Sequence, residues 1–191
     1  MKETVPELLA KFLEGDDQAF AELLKRYRQR IYSIAFKVLG NHLDADEVVQ
    51  ETFVRLYKRR KELSDVKYFT TFVLRIATNY SIDLLRKRKG HSGLGDDVTS
   101  LPGTIQLDLA QKVTTPSEAF QNKRVMEEIL RALEQLPPRQ KLTAILHDIE
   151  GYSKSEIARA LECPEATVRS NLHIARTKLK KILKARLDKK E

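Results

Sequence analysis

The chain reads as all-α: two small helical domains joined by a flexible linker, the C-terminal one a helix-turn-helix. Three observations lead there. Apolar residues recur at steps of three and four through both flanks, and no run of period-two alternation appears, so helices are expected and strands are not. Between the flanks, residues 90–122 hold neither period and carry Gly90, Gly93, Gly95, Pro102, Gly103 and Pro116 among Ser and Thr, which is the composition of a tether. A length of 191 residues suits two domains of modest size. The expected division is 1–89, 90–122 and 123–191.

The first flank opens with a short helix burying Leu8, Leu9 and Phe12. A long helix follows, with Phe20, Leu23, Leu24, Tyr27, Ile31, Ile34, Ala35, Val38 and Leu39 in one stripe, and stops at Gly40-Asn41. The next is expected to open at Asp44, with Glu47 three residues on as an Asp variant of the capping box. Its stripe is Val48, Val49, Thr52, Phe53, Leu56 and Tyr57. A further helix is expected from about Lys67 to Lys89 with Phe69, Phe72, Val73, Ile76, Ala77, Tyr80, Leu84 and Leu85 inward. In the second flank, a helix near Ser117 carries Val125, Ile129, Leu130 and Leu133 and ends at Leu136-Pro137-Pro138. A helix from about Arg139 to Ile149 leads to Glu150-Gly151-Tyr152. Ser153-Lys154-Ser155-Glu156 is a capping box opening a short helix, and Cys163-Pro164 restarts the chain into a last helix reaching about Leu187.

Composition excludes several classes. Hydrophobic residues at 41% and charged residues at 32% are too apolar for a disordered chain and too charged for a membrane protein. No apolar run approaches the ~18 residues a bilayer span needs, and Met1 to Pro6 lacks an apolar signal core; a cytoplasmic protein is expected. The single cysteine, Cys163, leaves no internal disulfide and no Cys-rich zinc site. His42, His91, His147 and His173 lie far apart, and there is no phosphate loop, metal-ligand spacing or nucleophile elbow. No catalytic residue, metal or cofactor is therefore assigned, and no enzyme is expected.

The net charge of +8 points to a polyanion. It is unevenly placed: residues 1–89 carry 18 basic against 13 acidic, residues 90–122 carry 1 against 4, and residues 123–191 carry 16 against 10. Three constellations could carry function. Ser153 to Arg176 has the spacing of a helix-turn-helix, whose second helix sets Val168, Leu172 and Ala175 against Glu165, Thr167, Arg169, Ser170, His173 and Arg176. Such side chains can read base edges or hold phosphates in a major groove. In the first flank, Tyr68, Phe69, Phe72 and Asn79 lie among Lys67, Arg75, Arg86 and Arg88. Rings interleaved with cations suit single-stranded nucleic acid, although Phe69 and Phe72 equally suit a core. Asp46, Glu47, Gln50 and Glu51 form an acidic patch opposite Val49 and Phe53; charge alone leaves open whether it meets a basic protein or water.

In this order the pieces resemble the extracytoplasmic-function (ECF) group of bacterial sigma factors. The resemblance runs through Gly15–Asn41, Asp44–Lys58, Phe69–Lys89 and Leu133–Lys181, with Gln50-Glu51-Thr52-Phe53, Arg75-Ile76-Ala77 before Asn79, Glu156-Ile157-Ala158 and Thr167-Val168-Arg169-Ser170 as its elements. It implies a first domain that reads the promoter −10 element and a second that reads the −35 element. It implies that Asp46, Glu47, Gln50, Glu51 and Phe53 dock on the clamp helices of the largest subunit of core RNA polymerase, whose flap is a further point of contact. It assigns melted −10 DNA to the stretch Ser64–Thr71, then Phe72, Arg75 and Asn79, and −35 DNA to the six residues of the last helix. It also implies a cognate anti-sigma factor. Relatives often carry Trp where this chain has Phe72 and Tyr57, and Arg where it has Asn171 and Ile174. The alternative is an autonomous helix-turn-helix regulator, for which a dimerisation heptad is lacking; an RNA-binding protein or nuclease has less support still.

Overall fold

The computed structural model describes residues 3–63, 68–91 and 116–187. Residues 64–67 of the expected −10 stretch and residues 92–115 of the expected linker lie outside the described residues. Among those described, every regular element is helical.

Helix α1 (Val5–Glu14) is started by a capping box between Thr4 and Glu7 and ended by Gly15 at φ 102°. Helix α2 (Asp17–Leu39) is capped by the Asp16 carboxylate, which accepts from the amides of Gln18 and Ala19, and ends at Gly40 with φ 77°. Helix α3 spans His42–Lys58 and so begins before the expected Asp44. The side chain of Asn41 accepts the Asp44 amide at 2.7 Å and takes the capping place that Asp44 would have filled. Helix α4 spans Phe69–His91.

Helix α5 (Pro116–Leu133) begins inside the expected linker, with Pro116 at its first position, where a fixed φ and a missing N–H cost nothing. Helix α6 (Pro138–Ala144) passes into a π-helical turn at Ile145–Ile149, a departure from the continuous helix expected there. Helix α7 (Lys154–Ala160) carries the predicted capping box of Ser153 and Glu156, and α8 spans Glu165–Leu187. At seven residues α7 is too short to be stable alone. Ser153→Ala is therefore expected to cost about 1 kcal/mol, read as a lower urea midpoint for the C-terminal helices.

Packing places α2 centrally against α1, α3 and α4, while α8 lies across α5, α6 and α7. The two groups of helices share one continuous apolar core: α4 packs on α6 and α7, and α2 meets the π-turn. Lys141 of α6 is buried at 6% exposure in this region. Burial pulls its ammonium down to about 8, with Glu134 opposing and Arg88 reinforcing the shift.

Candidate nucleic-acid interface

Three surfaces hold the sequence-predicted residues, and each sorts them differently.

On α3, residues four apart stack one above another on a helix face. Asp46, Gln50, Phe53 and Tyr57 thus follow one stripe, and with Phe20, Leu24, Val49 and Val54 they line a cavity of about 710 Å³ between α2 and α3. Arg28 and Lys58 also border it. Its floor is a ring cluster: Phe20 stacks on Phe12 at 4.8 Å, and Tyr57 and Phe53 meet Phe20 edge-on at 5.2 and 6.2 Å. Phe53 is only 5% exposed and belongs to that floor. Glu47 and Glu51 lie on the neighbouring stripe and turn to α4. Glu47 accepts the Tyr80 hydroxyl, and Glu51 accepts from Arg55 Nε at 2.6 Å. The Arg55 guanidinium lies 5.0 Å over the Tyr80 ring. The Glu47 carboxylate, with burial, pushes the Tyr80 phenol up to about 12. The expected acidic patch is thus two features: Asp46 and Gln50 on the groove, and Glu47 and Glu51 in a side-chain network beside it.

At the start of α4, Tyr68 is 41% exposed while Phe69 is 1% exposed. Phe69 is a correction to the expected set. Its ring is a core group edge-on to Tyr27 at 5.4 Å, and Tyr27 is hydrogen-bonded to Thr70 at 2.8 Å. Phe72 is half-buried with Arg75 4.9 Å over its face, and Asn79 is exposed. Arg86 is exposed, 3.9 Å from Asp83. Arg88 pairs with Asp44 and donates to the Leu39 carbonyl at 2.9 Å. Its charge serves the C-terminus of α2, where backbone carbonyls lack helical partners.

On α8, Val168, Leu172 and Ala175 are buried, and Thr167, Arg169, Ser170 and His173 are exposed on the opposite side. Glu165 lies 3.4 Å from Arg169. Arg176, also exposed, donates to both carboxylate oxygens of Asp148, at 2.5 and 3.2 Å, and so links α8 to the π-turn. Ile174 is 37% exposed beside this face. Among the described residues no group of three or more His, Cys, Asp or Glu could hold a metal ion, and no helix is long and apolar enough to cross a membrane.

A fourth set of contacts lies at the junction of the two groups. Tyr152 is 6% exposed in a socket formed with Tyr27, Arg30, Ile31, Val73 and Leu74, and the Arg30 guanidinium lies 4.4 Å over its ring. Lys37 donates to Glu150 at 2.5 Å with both side chains largely buried. Arg75 donates to Glu162 at 2.7 Å, and Arg159 lies 5.4 Å over the ring of Tyr68. The partners in these four contacts are 87 to 122 positions apart, so no local spacing announces them; only a charged residue at an otherwise inward position, Lys37, hints at them.

A helix-turn-helix with an exposed polar face, beside a bundle carrying a groove and ring-and-cation surface, is the architecture of a transcription factor that meets both DNA and protein. The chain belongs to the sigma-70 family, within its ECF group: the Sigma-70 region 2 model matches residues 23–91 and the Sigma-70, region 4 model residues 126–179. It is 29% identical over 185 residues to the ECF RNA polymerase sigma factor SigW of Bacillus subtilis, covering 96% of this chain and 99% of that one. It is 30% identical over 174 residues to the ECF RNA polymerase sigma factor SigE of Mycolicibacterium smegmatis, covering 88% of this chain and 64% of that one. Its fold is similar to that of the sigma factor RpoE from Bartonella quintana, solved with the anti-sigma factor NepR, at a TM-score of 0.66 and 19% identity, covering 86% of this chain and 96% of that one. Members of this family direct transcription initiation rather than substrate turnover, and this chain is an alternative sigma factor.

Proposed function

We propose that this sigma factor docks on core RNA polymerase through the α3 groove, reads melted −10 DNA with Tyr68, Phe72, Arg75 and Asn79, and reads −35 duplex with α8. It does so in the cytoplasm, as a non-enzymatic subunit. The observation that carries this is the separation of three chemically distinct surfaces. An apolar groove bordered by Asp46, Gln50, Arg28 and Lys58 suits an amphipathic partner helix bearing charges of both signs. Rings beside cations, with Tyr68 and Asn79 exposed, suit unpaired bases. A helix carrying Glu165, Thr167, Arg169, Ser170 and His173 on one face suits a major groove. By likeness to the relatives that are partnered by anti-sigma factors, a cognate anti-sigma factor holds it inactive.

The test combines purified core polymerase with this chain and a promoter library. Sequence-selective transcripts are expected only with both present; no stimulation on any promoter overturns the assignment. Asp46→Lys with Gln50→Lys is expected to weaken core binding at least about tenfold, or about 1.4 kcal/mol, with helical circular dichroism unchanged. Unaltered core affinity would remove the groove from the interface. A gel shift without polymerase distinguishes an autonomous regulator, which would bind duplex tightly alone.

A further inference from the structure

We infer that Tyr80 is a positioning residue: its bond to Glu47 fixes α4 against α3, so that polymerase on the α3 groove and a base at Asn79 are held at one set separation. This rests on the assignment of the groove to polymerase and of Asn79 to −10 DNA. Two stripes of α3 lie side by side. Asp46 and Gln50 border the groove. Glu47, Glu51 and Arg55, again four apart, face α4. There Glu47 accepts the Tyr80 hydroxyl, Glu51 accepts from Arg55 Nε at 2.6 Å, and the Arg55 guanidinium lies 5.0 Å over the Tyr80 ring. Glu47 is the neighbour of Asp46 in α3, and Tyr80 the neighbour of exposed Asn79 in α4. One hydrogen bond therefore joins the edge of the groove to the −10 surface.

The bond does what the core beneath it does not. Val48 and Leu56 of α3 and Val73 and Ala77 of α4 belong to one apolar core. Apolar contact sets how close two helices lie but has little direction; a hydrogen bond has a preferred line. Arg88 of α4 pairs with Asp44 of α3, one turn before Glu47. Held at both points, α4 is not free to turn about its own axis, and Asn79 keeps its aim. The Tyr80 phenol, pushed up to about 12 by Glu47 and burial, stays a donor at neutral pH. Glu47 is exposed, yet a polymerase cation could take its carboxylate only by competing with Tyr80. Its charge therefore serves α4, while Asp46 and Gln50 serve the groove.

Full-length variants assembled with core polymerase test this. Core affinity is measured first, then fluorescence anisotropy of a labelled single strand carrying the −10 sequence of a promoter that the wild-type holoenzyme transcribes. Tyr80→Phe removes only the hydroxyl and leaves the ring beneath Arg55. It should keep core affinity within about twofold and lower strand affinity about fivefold. Glu47→Gln keeps an acceptor oxygen and should behave as wild type in both. Glu47→Ala should match Tyr80→Phe, and the two combined should be no worse than either alone. Unaltered strand affinity in Tyr80→Phe, or additive losses in the double variant, overturns the positioning role. So does a fall in core affinity for Glu47→Gln, because Glu47 then meets polymerase by its charge. Asn79→Ala tests the −10 assignment separately. If it leaves strand affinity unchanged while Tyr80→Phe lowers it, Asn79 leaves the −10 surface and the positioning of α4 stands.

Discussion

Phe12→Ala is expected to cost about 3–5 kcal/mol, enough to unfold the N-terminal helices at moderate urea. Phe12 is wholly buried in α1, stacked on Phe20 at 4.8 Å and tilted against Tyr57 at 6.0 Å. Removing its ring forfeits the transfer free energy and leaves a cavity under two rings that floor the α3 groove. Leucine at the same place keeps most of the volume and should cost far less. Circular dichroism in urea gives the measurement, since the chain has no Trp. The consequence for binding is selective: core polymerase affinity should fall with the groove, while the α8 face, built on α5 to α7, should be less affected. Equal stability of the Ala and wild-type chains would mean that α1 does not hold the groove.

Lys37→Met should be nearly as damaging, at about 3–5 kcal/mol, for an electrostatic reason. Lys37 has 5% side-chain exposure and Glu150 12%, and the ammonium also reaches Ser33 Oγ at 2.5 Å. Truncating the cation leaves a carboxylate with little water and no counter-charge. Replacing both partners, Lys37→Met with Glu150→Met, should recover most of that loss, because two desolvated charges are then exchanged for apolar contact. A double-mutant cycle in urea reads the coupling directly. If the double variant is as unstable as the single, the pair stabilises by packing of its methylenes rather than by charge.

The sequence carried what is local. The capping box at Ser153, the glycine after α2 and the three-and-four spacing of core residues all act within a few positions, and they mark most element boundaries. Asn41 escaped because Asp44, an equally good cap, stood three residues on. The polar face of α8 was legible because one helix fixes which side chains share it. The partners of Arg88 and Arg176 were not, since an arginine turned to solvent and one turned to a carbonyl or carboxylate have the same spacing; tertiary packing brings Asp44 and Asp148 to them. Phe69 shows the same limit for rings: Tyr27, 42 positions away, makes it core. The two-body picture drawn from the middle stretch held no hint of Tyr152 in its socket, because an aromatic between a glycine and a capping box reads as an ordinary anchor within its own helices.

The contacts around Tyr152 also make the two groups of helices one thermodynamic unit. A ligand that binds only after the groups have parted sees its affinity reduced by the fraction of molecules so parted, and a separation costing about 2.7 kcal/mol would lower it about 100-fold.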